Sequence, residues 1–195
     1  MPSDIANDKP DTTKVWDLVI RLFHWVLVTT FIVAYLTEDD FLDLHVLAGY
    51  ILGAAIMVRL LWGFVGTKHA RFSDFVTSPG VAFTYLKETL SFKANRYVGH
   101  NPAGGLMIVL MLSSLTFTAI TGVALYGAEE HAGPMASWFL GSSADWEGAL
   151  EEAHEFLANF TLLLVAIHLI GVITESLVHK ENLIRAMISG VKRST

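Results

Sequence analysis

The chain has 195 residues, of which 53% are hydrophobic and only 16% are charged, and its formal net charge is −6 at pH 7. Soluble domains usually carry about 25% charged residues, so this composition favours a membrane-embedded protein over a soluble one. The chain contains no cysteine, which excludes disulfides, thiolate metal sites, iron–sulfur clusters and covalently attached haem.

Residues 1–13 are polar and contain no apolar stretch, so we expect no cleavable signal peptide, and the first hydrophobic helix should direct insertion. Four apolar stretches are long enough to cross about 30 Å of hydrocarbon as helices. They cover about residues 18–36, 45–65, 103–126 and 156–178. None of them alternates in polarity as a membrane β-strand would. The sequence therefore predicts an all-α fold in which residues 1–195 form a single membrane domain, a four-helix bundle.

Two smaller features lie between and within these helices. Ser78 and Pro79 are typical of a helix start, and apolar residues follow them at helical spacing as far as Leu90. This pattern predicts an interfacial helix at about 79–91. Gly49 and Gly53 are small residues four positions apart, which permit close helix approach, so the sequence leaves a homo-oligomer open.

Basic residues are confined to one side of the predicted membrane. The connections at about 37–44 and 127–153 contain no Lys or Arg, whereas all thirteen lie at or beyond the other helix ends. The positive-inside rule therefore places both termini and the 66–102 connection in the cytoplasm. The opposite connections are acidic, with Glu38, Asp39, Asp40, Asp43, Glu129, Glu130, Asp145, Glu147, Glu151 and Glu152.

The eight histidines fall into two groups. Four are expected in loops or at helix ends, where solvated side chains are the simpler interpretation: His69, His100, His131 and His179. The other four lie in or at the edges of the predicted spans: His24, His45, His154 and His168. An ionisable residue at membrane depth is by default a functional hypothesis. For any one of these histidines alone, a hydrogen bond to a neighbouring helix is an equal alternative.

The four membrane histidines pair by depth. His154 and His168 are fourteen residues apart, so they share a helix face and are separated by about 21 Å. His24 lies near the start of the first helix, at the same inner depth as His168. His45 lies at the start of the second helix, at the same outer depth as His154. Two facing imidazoles are the ligands of a six-coordinate b-type haem. Zinc, the rival metal, prefers three or four close ligands, which neither pair supplies.

Three further residues bear on these predicted haem sites. Gly49 lies one turn from His45 and provides room for a flat ligand. Arg59 follows His45 by fourteen residues, so it lies on the same face at the inner depth, where it either binds haem propionates or extends to the inner headgroups. Tyr35 lies at the depth of the outer pair, where it either forms a hydrogen bond or joins the interfacial aromatic belt, and we favour the belt.

Several runs of this sequence resemble the bacterial cytochrome b-561 family, which includes the cytochrome b subunit of membrane-bound nickel–iron hydrogenases. The runs are Trp16-Asp17, Arg21-Leu22-Phe23-His24-Trp25, Leu44-His45-x-x-x-Gly49-Tyr50, Arg59-Leu60-Leu61-Trp62-Gly63, Gly99-His100-Asn101-Pro102-x-Gly104-Gly105, His154-Glu155 and His168-x-x-Gly171. The resemblance covers about residues 15–193. It implies a four-helix protein of the bacterial inner membrane with two haem b groups, which exchanges electrons between quinone and a redox partner. It also implies that His24, His45, His154 and His168 are the axial ligands, in the pairs given above.

Three functions remain open at this point. The first is an electron conduit between membrane quinone and a periplasmic redox protein or catalytic subunit that docks on the acidic connections. The chain is then an electron-transfer protein or the cytochrome subunit of a respiratory oxidoreductase, without catalytic residues of its own. The second is a self-contained quinol oxidoreductase acting on superoxide or ferric ion. The third is a haem-free transporter or assembly scaffold. Membrane lipid is an expected partner, and nucleic acid is not.

The quinone site is predicted near the inner pair, because quinone chemistry moves protons and needs polar, titratable groups at membrane depth. Glu175 lies on the ligand stripe seven residues past His168, and His100 precedes the third span. The alternative is that both residues only hydrogen-bond loop backbone or propionates.

Overall fold

The computed structural model describes residues 12–38, 40–141 and 144–194. Four long helices dominate it: α1 (Leu18–Leu36), α2 (Leu42–Val65), α5 (Pro102–Glu129) and α6 (Ala144–Val178). Shorter elements complete the chain: β1 (Thr12–Lys14), α3 (Phe72–Phe75), α4 (Pro79–Leu90), α7 (Leu183–Ser189), β2 (Val191–Arg193) and two 3₁₀ turns (Lys68–Ala70 and Ala136–Trp138). The predicted all-α membrane bundle is confirmed.

The helices begin where the sequence supplies caps. Asp17 precedes α1 and accepts a hydrogen bond from the Ile20 amide at 2.9 Å. Asn101 precedes α5, accepts from the Gly104 amide at 2.7 Å and is followed by a proline in the first helical position. Both arrangements satisfy an amide that would otherwise lack a partner at a helix start.

The fourth helix is longer than the span predicted for it. It begins at Ala144 rather than near residue 156. Its 35 residues extend about 52 Å at 1.5 Å per residue, well beyond the hydrocarbon. The apolar pattern marks only the membrane-crossing part. The preceding turns carry Asp145 and Glu147, whose negative charges suit a helix N-terminus outside the hydrocarbon.

The bundle is made of two antiparallel hairpins. α1 packs on α2 and α5 packs on α6, while α2 and α5 join the hairpins. A central apolar cluster consists of Phe31, Leu52, Ile56 and Leu115. Between α5 and α6, the buried hydroxyls of Ser114 and Thr161 share a hydrogen bond of 2.7 Å. Large apolar side chains point outward on all four long helices, as expected where lipid surrounds the protein.

The two ends of the bundle differ in charge and in structure. We call the end that carries β1, β2 and the Lys and Arg residues of the described chain the basic end, and the opposite one the acidic end. At the basic end, β1 pairs with β2 in an antiparallel ladder from Thr12–Arg193 to Lys14–Val191. The short helix α3 folds back on α2, because Gly63 has no side chain to block the Phe72 ring.

Candidate functional site

At the acidic end, the rings of His45 and His154 face each other across the bundle. Their centroids are 6.0 Å apart and their planes are inclined by 77°. His45 Nδ1 lies 2.9 Å from the Ala34 carbonyl oxygen, and His154 Nδ1 lies 3.0 Å from that of Thr118. A carbonyl partner requires a proton on Nδ1, which leaves Nε2 of each ring unprotonated and available to a metal.

These two rings line a crevice of about 700 Å³, a volume that includes the space at its open side. Its walls come from all four long helices and are mainly apolar. Gly49 lies on one wall, and a side chain added there would meet no atom within 4 Å. Gly122 lies beside His154, where an added Cβ would be only 2.7 Å from the ring atom Cε1. The first glycine leaves space in the crevice, and the second leaves space for the His154 ring.

These observations fit a flat macrocycle held by two imidazoles. Two free Nε2 atoms would provide the axial ligands of such a group, and the apolar walls suit a porphyrin. In the described part of the chain, no three His, Asp or Glu side chains are grouped so that they could hold a metal ion. A tetrahedral zinc site is therefore not supported.

Tyr35 lines the same crevice and does not belong to an outward-facing aromatic belt. Its hydroxyl donates to Asn159 Oδ1 at 2.8 Å, and so links α1 to α6. The assignment to the belt was wrong because Asn159 offers an acceptor inside the bundle at the same depth.

At the basic end, His24 and His168 lie within electrostatic range of each other. His24 Nδ1 is buried without a hydrogen-bond partner, and the ring stands edge-on to Trp25 at 5.1 Å between centroids. A buried ring nitrogen without a partner is costly, so this site also fits an additional ligand. His24 and His168 thus lie at the same end of the bundle, and their pairing about one ligand stays a prediction.

Arg59 lies at the same end and is only 3% exposed. Its guanidinium lies over the Phe72 ring at 4.8 Å and 5.9 Å from the centroid of Phe75. Its Nη1 is buried without a hydrogen-bond partner, and no carboxylate of the described residues lies within 4.0 Å of it. Protein therefore encloses Arg59, which does not extend to the headgroups. A buried unpaired cation fits an anionic group such as a propionate.

Glu175 and His100, the predicted quinone-site residues, have different surroundings. Glu175 accepts hydrogen bonds from Tyr85 and Thr89 of α4, each at 3.3 Å, and lies 3.3 Å from His179 Nε2. His100 packs between Trp16 and Phe75, with centroids at 4.4 and 4.7 Å. The structure shows no hydrogen bond or ion pair between these two residues.

Three of the histidines expected in solvent have protein partners instead. Burial, followed by the charges of Arg59 and Lys192, lowers the pKa of His100 to about 3. His69 pairs with Asp74 at 3.0 Å, and His179 contacts Glu175. The solvent expectation was wrong for these three because the basic-end connections fold back onto the bundle. His131 is exposed, as expected.

Three residues of α5 that contact the His154 ring were not predicted from the sequence. Thr118, Thr121 and Gly122 follow one another on α5, with Thr121 Oγ1 at 3.2 Å from His154 Nδ1. Small and polar residues one turn apart in an apolar helix are the signal that identifies such a contact face. This pattern could not be recognised in the sequence, because α5 contains many other small residues.

The chain is similar to one protein family and to several named proteins. Residues 15–190 match the family model described as prokaryotic cytochrome b561. A protein of Azotobacter vinelandii named probable Ni/Fe-hydrogenase B-type cytochrome subunit is 26% identical over 219 residues, covering 93% of this chain and 89% of its own. The proteins of that name from Azotobacter chroococcum (strain mcd 1) and Rhodobacter capsulatus are each 27% identical. They cover 93% and 90% of this chain, and 89% and 79% of their own lengths. No solved structure matches. The chain belongs to the prokaryotic cytochrome b561 family.

Proposed function

We propose that this membrane cytochrome b holds two haem b groups, one at each end of the bundle. We further propose that it carries electrons between a catalytic or redox subunit at the acidic end and membrane quinone at the basic end. The observation that carries the proposal is the facing pair His45 and His154, whose Nδ1 atoms are both bound to backbone carbonyls over an apolar crevice. Family membership supports haem b and an electron-transfer role.

Each of the four histidines has an assigned role. We assign His45 and His154 as axial ligands of the acidic-end haem, and His24 and His168 as those of the basic-end haem. When bound, each haem supplies a one-electron redox centre. The backbone carbonyls of Ala34 and Thr118 hold the acidic-end rings in one tautomer and orientation.

We assign two further residues to the support of the haems. Arg59 would neutralise an anionic haem substituent at the basic end, because its Nη1 has no hydrogen-bond partner and no carboxylate of the described residues lies within 4.0 Å of it. Gly49 would leave room for the ring system at the acidic end. We also infer a bacterial inner-membrane location with both termini in the cytoplasm, since every Lys and Arg of the described residues lies at the basic end.

The ligand assignment is tested by removing one histidine at a time. His168→Ala in the full-length protein should lower the haem content from two to one per chain and spare the acidic-end haem. His45→Ala should do the reverse. His131→Ala serves as the matched control, because His131 is exposed, and it should keep both haems. Retention of both haems in His168→Ala would reject the assignment.

A partner for the acidic end is suggested by the names of the relatives, which are hydrogenase subunits. The carboxylates of Glu130, Glu147 and Glu151 all lie within electrostatic range of Glu129, and every described ion pair lies at the basic end. An uncompensated acidic surface attracts a basic partner. Turnover with superoxide or ferric ion in the absence of any partner would favour the self-contained oxidoreductase instead.

The basic end is our proposed quinone site, because Glu175 and His100 bring titratable groups to that depth. A quinone analogue should shift the spectrum of the basic-end haem, identified as the haem lost in His168→Ala. If the analogue perturbs only the acidic-end haem, the placement is wrong.

A further inference from the structure

Glu175 lies among partners that carry no permanent positive charge. Tyr85 donates to its Oε2 and Thr89 to its Oε1, both at 3.3 Å. His179 Nε2 lies 3.3 Å from Oε2 but is buried without a hydrogen bond. The Glu175 side chain is 15% exposed, and no Lys or Arg nitrogen of the described chain lies within 4.0 Å of it.

Glu181, six residues later, has the opposite surroundings. It accepts from Arg96 at 2.9 Å and lies 3.8 Å from Lys192 Nζ. Two permanent cations hold that carboxylate in its charged form. Among the described residues, Glu175 has no such cation within contact distance.

His179 lies beside Glu175, on the side away from the membrane. Glu175 follows His168 by seven residues, or about 10.5 Å along α6, and His179 lies one turn further. His179 directly follows the last residue of α6, and its side chain is 13% exposed. Histidine side chains change charge near neutral pH, so this residue is suited to exchange protons with water.

We propose that Glu175 and His179 form a proton path between the quinone site and the water at the basic end, with Tyr85 and Thr89 as positioning residues. The inference rests on the quinone site proposed above. Conversion of quinone to quinol takes two electrons, which arrive through the protein, and two protons. For each proton, Glu175 gives its own to a quinone oxygen, recovers one from His179, and His179 recovers one from water. Quinol oxidation uses the same path in reverse.

The remaining groups around Glu175 are consistent with this path. Burial and the neighbouring Glu175 carboxylate raise the pKa of Tyr85, so its hydroxyl stays protonated and continues to donate. Lys192 lies within electrostatic range of Glu175, but its Nζ is placed at Glu181. Thr89 is buried, and its one hydroxyl hydrogen is shared between the Tyr85 carbonyl at 3.0 Å and Glu175 Oε1 at 3.3 Å, which holds the hydroxyl beside Glu175.

The test uses the full-length, haem-loaded protein in liposomes. Haem reduction by decylubiquinol is followed by stopped-flow absorbance. His179→Gln should slow this reaction about a hundredfold, at the lower end of the range for a lost acid–base group, with unchanged haem spectra. Added imidazole should restore the rate, because it carries protons in place of the missing ring. A merely structural role for His179 would not respond to imidazole.

Three other variants complete the design. Glu175→Gln should slow the reaction at least as much, without rescue by imidazole. Tyr85→Phe keeps the ring packed on Tyr97, whose centroid lies at 5.5 Å, and should lower the rate less than Glu175→Gln does. Glu88→Gln is the matched control, because Glu88 is exposed on α4 next to Thr89, and its rate should equal that of the wild type.

The experiment distinguishes failure of the proposed quinone site from failure of the proton path. If decylubiquinol does not reduce the wild-type haems, the quinone site itself is wrong. If the wild type reacts and His179→Gln reacts equally fast, or is slow without rescue by imidazole, the quinone site stands and the proton path is overturned.

Discussion

Gly122 offers a direct test of the acidic-end site, because Gly122→Ala places a methyl group against the His154 ring. The new Cβ would lie 2.7 Å from Cε1, whereas ordinary contact begins at 3.4 Å. The ring must therefore move by about 0.7 Å, beyond the tolerance of about 0.5 Å for a preorganised site. That shift also disturbs the contacts of Nδ1 with Thr118 and Thr121, at 3.0 and 3.2 Å.

The assay is haem content together with the reduced-minus-oxidised spectrum of the purified variant. We expect Gly122→Ala to lose or shift the acidic-end haem and to leave the basic-end haem unchanged. Gly148→Ala is the matched control on α6, since an added Cβ there meets no atom within 4 Å. It should keep both haems and stabilise the helix by up to about 1 kcal/mol. Normal content and spectrum of both haems in Gly122→Ala would refute the reasoning.

Three further predictions concern packing, pH and partner binding. Thr161→Ala should destabilise the bundle by about 1–2 kcal/mol in a denaturant titration, because it leaves the Ser114 hydroxyl without its buried partner. The double variant with Ser114→Ala should lose less stability than the sum of the two single variants. Burial alone would raise the pKa of Glu181, but Arg96 and Lys192 outweigh it, and the pKa lies below its ordinary value of 4.5. The stability from Glu181 is therefore complete above pH 4.5 and is lost as the pH falls through the lower folded-state value; hydrogen exchange of β2 should show this loss in the wild type and not in Glu181→Gln. Electron exchange with a basic partner should slow as salt rises, and Lys replacements should slow it further; a rate unaffected by either would remove the docking surface. The residues to replace are Glu129, Glu130, Glu147 and Glu151.

The fold was largely predictable from the sequence because the membrane imposes simple rules. Length and apolarity identify the four spans, and the Lys and Arg distribution separates the two ends. The start of α6 was not predictable in this way. Its first turns are polar and lie beyond the hydrocarbon, so hydropathy carries no signal for them.

The histidine pairs were predictable because helix geometry converts residue spacing into depth. The contacts around them depend on which helix faces meet, and spacing does not determine this. Gly122 and Asn159 therefore went unnoticed, although each touches a residue that the sequence had singled out. His179 was missed as a partner of Glu175 because it follows the helix end, where a histidine usually faces water.

The central claim is that one chain binds two haems through four histidines. The most direct measurement is the haem-to-protein ratio of the purified full-length protein, combined with its reduced-minus-oxidised spectrum after acid-acetone extraction. We predict a ratio of two and complete removal of haem by the extraction, because the chain has no cysteine for covalent attachment. A ratio of one, or a colourless protein, would contradict the account.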